Sequence, residues 1–312
     1  MSPVDLNRFR PEVQRKLRRI SDLAERIYLV PFLSRRLAFY GGTCLNFVHM
    51  ENAPRLSLDL DFNFREIQGS DWKPERDRVD DYLKKILMDL GYQADNIKIQ
   101  ASYPLTRFEV WYDTDTGGRD SFKIEIGYQR RLPILTSDTT ITWYHPFSGR
   151  GIKVLTPVRE ELFSNKVATL LYRFGYPDHI SGRDLFDAYT ISQVEFEKKS
   201  FMASFVLDSL TRPERRLDEI TAELSIEHCI IEGHVEELIF EGPPLPELSG
   251  VVSGFINELL DEVRSNWKKL IDDFFIRHIF HPERMVPENI LNERIRDHPG
   301  ILWSLERLKK TK

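Results

Sequence analysis

The chain has little of what would hold a fold by anything other than a packed core. Only Cys44 and Cys229 occur among 312 residues, so no disulfide framework is implied and two small buried thiols are expected. No apolar run approaches the roughly 20 residues that cross a bilayer, and the first residues are polar and charged instead of signal-like. No membrane partner and a cytoplasmic location follow as expectations. The net charge is only −5, which argues against a protein that coats nucleic acid indiscriminately. Internal repeats and low-complexity tracts are missing. His278-x-x-His281, and His228 with His234, lack companion cysteines or a HExxH arrangement, so a zinc centre is not expected. What remains is an ordinary globular composition, 41% hydrophobic and 30% charged, with length enough for a large core and two domains.

Charge is nevertheless uneven. Residues 1–36 carry nine Lys or Arg against four Asp or Glu. Val13, Leu17, Ile20, Ala24 and Ile27 recur at helical spacing, which leaves Arg15, Lys16, Arg18, Arg19 and Arg26 outside the apolar stripe. That face reads either as a solvated helix surface or as a contact for an RNA backbone.

What the chain does have is the run LAFYGGTCLNFVHMENAPRLSLDLDFNF. A glycine pair, Gly41-Gly42, stands between a short apolar strand and a helix expected over about residues 43–50. An alternating strand follows, with Leu58, Leu60, Phe62 and Phe64 on one face and Ser57, Asp59, Asp61 and Asn63 on the other. Two carboxylates on one face repel unless protonated or bridged by a cation, and a divalent metal carrying phosphates is the usual resolution. The glycine turn lets phosphate oxygens approach backbone N–H groups at a helix N-terminus, where Thr43 adds a hydroxyl donor. In FKIEIGY, Ile124, Ile126 and Tyr128 alternate with Lys123 and Glu125, so Glu125 can supply the third acid that a two-metal site requires. Glu109, on another predicted strand, is a weaker competitor. Ser57 shares the face of the aspartates, where it either orients Asp59 or offers a phosphorylation site whose charge would occlude a triphosphate.

Periodicity predicts a helix from about Pro74 to Leu90, ended by Gly91, then strands near 97–101, 107–112 and 122–128, the last two joined by a hairpin at Asp115–Gly118. Lys153–Leu155 reads as an edge strand. Thr156 as N-cap and Pro157 as the first helical residue predict a helix reaching Phe174, and RDLFDAY a further helix from about Ser181. Beyond Glu195 the pattern is helical, interrupted by the turn-rich segment 241–250. The expectation is an α+β chain: residues 1–156 form a mixed sheet with flanking helices, and 157–312 form a mainly helical domain that completes a cleft.

A strand, a Gly-Gly turn, an Asp-x-Asp strand and a later acidic strand resemble the DNA polymerase β-like nucleotidyltransferases. More closely, GGTCL, Arg55-x-Ser57-x-Asp59-x-Asp61-Phe62, Lys166 and Arg183-Asp184 resemble the AbiEii-type nucleotidyltransferase toxins, over about Leu37 to Tyr189. The resemblance implies that Asp59, Asp61 and Glu125 hold Mg²⁺ or Mn²⁺. Gly42, Thr43 and Ser57 would then line the site of a nucleoside triphosphate, and Lys166, Arg183 and Asp184 would complete it. Taken on their own residues, Lys166 is also a lysine whose stem lies along apolar surface, Ser181-x-x-Asp184 is also a capping box, and Arg183 is also an i, i+4 partner for Asp187. The family implies NMP transfer to RNA, with the tRNA 3′ end as acceptor and a cognate antitoxin as partner. The alternatives are transfer to a small-molecule hydroxyl and a non-catalytic nucleotide-binding regulator.

Overall fold

In the computed structural model, the residues described are 5–50, 54–68, 71–173, 175–224, 230–232, 236–239, 242–287 and 289–310. They form two compact units. One comprises residues 1–131 and 138–157, the other 132–137 and 158–312.

The first unit opens with helix α1 (Pro11–Leu29), which starts on a proline that needs no N–H partner, and a one-turn helix α2 (Pro31–Ser34). Strand β1 (Leu37–Tyr40) then enters α3 (Gly41–Cys44), which continues as a π-helical turn over Leu45–His49. Strand β2 (Leu60–Phe64) and helix α4 (Trp72–Asp89) follow, then β3 (Ile97–Ser102), β4 (Leu105–Asp113) and β5 (Arg119–Gly127). The five strands form one sheet in the order β1-β2-β5-β4-β3, antiparallel except for the parallel pair β2 and β5. Residue alternation gives the sheet two unlike faces. Phe62, Phe108, Val110, Phe122, Ile124 and Ile126 are buried on one, each worth about 1.5–3 kcal/mol relative to exposure. Aromatic contacts carry this layer to the helices, Tyr28 of α1 to Phe39 and Phe62, and Trp72 of α4 to Tyr128.

A second hairpin, β6 (Thr139–Tyr144) with β7 (Gly151–Thr156), completes the unit. Only part of β7 was expected, and the sequence reading missed β6. Thr156 is not a helix cap. It is the last residue of β7, with its hydroxyl 3.2 Å from Cys44 Sγ and 2.9 Å from His49 Nε2. The following helix starts two residues later because Val158 takes the cap position.

The basic face of α1 is solvated in part, with Arg18 and Arg26 exposed, and most of its cations also have partners within the fold. Lys16 donates to Asp120 at 3.1 Å and Arg15 lies 3.4 Å from Asp115, while Arg18 and Arg19 lie over the rings of Phe147 and Tyr112 at 4.1 and 4.3 Å. These cations fasten α1 to the hairpins. Periodicity identified the stripe but could not reveal that acids and rings from remote strands meet its flank.

The second unit consists chiefly of α5 (Arg159–Tyr172), strand β8 (His179–Ser181), α6 (Gly182–Ser192), α7 (Lys198–Leu210), strand β9 (Ile230–Glu232), α8 (Leu245–Glu262), α9 (Lys268–Phe275) and α10 (Pro299–Lys310). Phe163, Phe196, Phe201 and Phe255 form an aromatic cluster within it, with Phe196 stacked on Phe201. Residues 132–137 join it through the N–H groups of Ile134 and Leu135, which donate to the buried Glu161 carboxylate at 3.0 and 2.9 Å. The segment 241–250 is less of an interruption than its prolines suggested. Pro244 caps α8 and Pro246 falls in its first turn, where a missing N–H costs nothing. Phe174, His228, Cys229 and His234 lie outside the described residues.

Candidate active site

The glycine turn and the second aspartate meet at one point. Tyr40 and Asp61 are partners in the β1–β2 ladder, so the next residue, Gly41, stands beside the Asp61 side chain. A Cβ on Gly41 would fall 1.8 Å from Asp61 Oδ2, and its φ of +72° already disfavours any L side chain. Glycine is thus required twice over, by backbone conformation and by the carboxylate it leans on. Gly42 is similarly enclosed, because a Cβ there would come within 2.8 Å of Ser57 Oγ and 2.9 Å of Arg55 Nη2.

Asp61 is directly opposite Glu125 across the parallel β2–β5 pair. Opposed residues in register point to the same side, so these two acids share the polar face. Glu125 is held in turn by Arg107 of β4, whose Nε donates to it at 2.6 Å. Glu109, the competing acid, is opposed to Lys123 of β5 on that face.

Asp59 is placed differently from the reading that put it on the strand. Strand β2 begins at Leu60, and Asp59 lies in the bend before it. Its carboxylate accepts the Lys123 N–H at 3.3 Å, and its carbonyl accepts the Thr43 hydroxyl at 2.5 Å. Thr43 therefore pins the loop that carries Asp59 to the helix that follows the glycines. Asn46 donates to the Gly42 carbonyl at 2.8 Å and is fully buried. Ser57 and Arg55 are buried too, at 8% and 2% exposure, beside Gly42. Arg55 was not assigned a role from sequence. A buried guanidinium at the start of the Gly-Gly helix is a signal only once the loop's path is known.

The donor set fits a hard divalent cation, since Asp61, Glu125 and Asp59 offer carboxylate oxygens and no soft ligand. Among the described residues, the group of three whose ligand atoms fall within 4.8 Å of one another is a different one, Asp22, Glu25 and His145. Hydrogen bonding argues against a metal there. His145 Nδ1 accepts from the N–H groups of Phe147 and Ser148, both at 3.2 Å, so the proton sits on Nε2, which donates to Asp22 at 3.0 Å. Glu25 is paired with Arg150 at 2.7 Å. This cluster latches the β6–β7 hairpin to α1.

The remaining predicted residues lie in the second unit. Lys166 of α5 pairs with Asp187 of α6 at 3.1 Å, the two side chains being 12% and 1% exposed. Asp184, in the first turn of α6, is buried and ion-paired with Arg173. The Ser181 side chain makes no capping bond, so the capping-box role is not realised. Arg183 is exposed. Next to the Arg173–Asp184 pair is a cavity of about 560 Å³ lined in part by Thr169, Tyr172, Arg173, Arg212 and Arg215.

Comparison with known proteins gives a family. The family model described as nucleotidyl transferase AbiEii toxin, type IV toxin–antitoxin system, matches residues 23–281. The fold is similar to that of MenT4, a nucleotidyltransferase toxin from Mycobacterium tuberculosis H37Rv. That likeness has a TM-score of 0.58 and 18% identity, covering 96% of this chain and 95% of that one. An antigenic nucleotidyltransferase-like protein from Paracoccidioides brasiliensis matches more distantly, at 18% identity and a TM-score of 0.35 over 57% of this chain and 76% of that one. No curated protein sequence matches.

Proposed function

Because this chain belongs to the AbiEii nucleotidyltransferase toxins of type IV toxin–antitoxin systems, we propose that it transfers a nucleoside monophosphate from a triphosphate to a hydroxyl of RNA. The proposed acceptor is the 3′ end of tRNA, the proposed consequence is blocked translation in the cytoplasm, and a cognate antitoxin is the proposed counterpart. The observation that carries the reading is the register of Asp61 against Glu125, with Gly41 leaning on the Asp61 carboxylate.

In this reading Asp59, Asp61 and Glu125 hold the divalent cation, Mg²⁺ or Mn²⁺. When bound, it would neutralise charge on the triphosphate and on the leaving pyrophosphate. Gly42, Thr43 and Ser57 line the triphosphate site, and Lys166 and Arg183 contribute positive charge to the reaction. The acceptor oxygen attacks the α-phosphorus, the bond to the β-phosphate oxygen breaks, and pyrophosphate leaves. Glu125 is the group proposed to assist removal of the hydroxyl proton, and Asp184 orients cationic side chains.

A second reading, transfer to a small-molecule hydroxyl, is favoured by one observation. Lys16 and Arg19 of α1 are engaged within the fold, which weakens a feature that spoke for RNA. Incubation with each labelled triphosphate, Mg²⁺ and total cellular RNA separates the two. Label in tRNA that Asp61→Ala abolishes supports the first reading. Label only in small polyhydroxylated compounds supports the second, and no label in either, with Asp61→Ala as toxic as the parent, overturns both.

A further inference from the structure

Two arginine–carboxylate pairs in the first unit are built differently. Arg65 holds Asp138 at two points, Nε to Oδ2 at 2.6 Å and Nη2 to Oδ1 at 2.8 Å, and gives Nη1 to the Arg130 carbonyl. Arg107 meets Glu125 through Nε alone, which donates to Oε1 at 2.6 Å. The first pair is 6% and 10% exposed, the second 39% and 28%. Among the described residues, neither Nη group of Arg107 nor Oε2 of Glu125 has a partner. Guanidinium and carboxylate match as a two-point fork, so the Arg107 pair is half made.

Ladder register shows what can complete each half. Across β2, β5, β4 and β3 one row runs Asp61, Glu125, Arg107, Gln100, so Glu125 stands between a second acid and a cation. Toward Asp61, two carboxylates repel until a cation joins them, and Oε2 is the Glu125 oxygen left to bind it. Toward β3, Arg107 has no other acid in its row, because Gln100 is neutral. Glu109, two residues along the same face of β4, is opposed by Lys123 on one side and Lys98 on the other. A divalent cation drawn onto Glu125 therefore meets Arg107 as a competitor. A guanidinium released from Glu125 has no second acid opposed to it, and its fork suits the oxygens of a phosphate. An ion pair this exposed is weak, so little opposes the exchange.

We propose that Arg107 is an exchangeable partner of Glu125. It competes with the divalent cation for this carboxylate and, on yielding it, turns its guanidinium to phosphate oxygens of the triphosphate. The pair thereby couples the two ligands, because a polyphosphate that takes the guanidinium relieves the competition at Glu125. The proposal rests on the metal and triphosphate reading of this site given above.

The test measures the two ligands separately in wild type, Arg107→Gln, Arg107→Lys and Asp61→Ala. Mn²⁺ affinity is read from the electron paramagnetic resonance signal of the free ion. Affinity for inorganic tripolyphosphate, which carries no base to be preferred, is read by calorimetry in saturating Mn²⁺. Arg107→Gln should bind Mn²⁺ alone about fivefold more tightly, the upper end for an exposed ion pair. It should bind tripolyphosphate roughly tenfold more weakly, with an unchanged melting temperature. Arg107→Lys should return Mn²⁺ affinity to within about twofold of wild type, since the charge remains, but recover only part of the tripolyphosphate affinity, since the fork does not. A side chain that merely supported the sheet would move both affinities in one direction. Mn²⁺ affinity that is unchanged or weaker in Arg107→Gln, or unchanged tripolyphosphate affinity, overturns the proposal. Mn²⁺ binding that is absent in wild type, or unaltered by Asp61→Ala, overturns the metal reading and the role of Arg107 with it. If the affinities shift as expected while no acceptor takes up labelled nucleotide, the transfer reading fails and the exchange stands. If label is transferred and the affinities do not move, the exchange fails alone.

Discussion

Glu125 in the first unit and Asp187 in the second each face a cation, yet they are held in different ways. Glu125 and Arg107 are 2.6 Å apart with side chains 28% and 39% exposed, on an open sheet face. Asp187 and Lys166 are 3.1 Å apart at 1% and 12% exposure. Solvent-exposed pairs contribute about 0–1 kcal/mol, so Glu125 can exchange Arg107 for another cation at little cost. A buried carboxylate has no such freedom, because removing its partner leaves a charge that water cannot reach. The lesson is that the open sheet face leaves Glu125 exchangeable, while the packed α5–α6 pair commits Asp187 to the fold.

The largest expected effect is on the available side. Asp61→Ala should lower nucleotide transfer by about a thousandfold or more, roughly 4 kcal/mol of transition-state stabilisation, while leaving the melting temperature within about a degree of wild type. Steady-state labelling alongside a thermal melt would show it, and a large fall in melting temperature would erase the contrast between the units.

Next comes the committed side. Asp187→Asn should destabilise the protein by about 3 kcal/mol in urea titrations, and Lys166→Met should do likewise. Combining the two should restore much of the stability without restoring activity. If each single variant melts like wild type and loses only transfer, Lys166 is as available as Glu125 and the comparison breaks.

Gly41→Ala tests the contact between turn and carboxylate. The added methyl must displace Asp61, and misplacement on this scale costs about a hundredfold in rate. Crystals of the variant should show the Asp61 carboxylate moved, and activity equal to wild type would mean that Asp61 is not held by this glycine.

The smallest effect sharpens the contrast within the first unit. Asp80, on α4, is raised to about 6 by burial, only partly offset by Arg76 and Lys84. Its folded pKa lies above the unfolded value, so the charged form is penalised in the native state. That penalty is complete above about pH 6 and relieved as pH falls toward 4. Asp80→Asn should therefore add about 1 kcal/mol near pH 8, a figure reduced for partial solvent screening, with the gain gone by about pH 4. Melting curves across that range would reveal a gain of the opposite trend if the sign is wrong.

Legibility in the sequence followed sequence distance. Alternation in FKIEIGY put Glu125 on a polar face, and the glycines announced the strand-to-helix turn, because both signals lie within a few residues. Other features depended on partners far along the chain. The start of β2 after Asp59 follows from where β1 and β5 end their pairing. Strand β6 was missed because its partner supplies its register, and the partners of the α1 cations could not be read because Asp115, Asp120 and Phe147 are remote from them.

By itself, the sequence determined which residues could share a face and where the backbone could turn, since strand and helix periods are properties of adjacent residues. Only the tertiary structure decided that Asp61 stands opposite Glu125, that Gly41 leans on Asp61, and that Arg107 extends the same row. The reason is physical: a parallel ladder joins strands distant in the chain, and its register emerges from packing of the whole buried face, not from any local pattern.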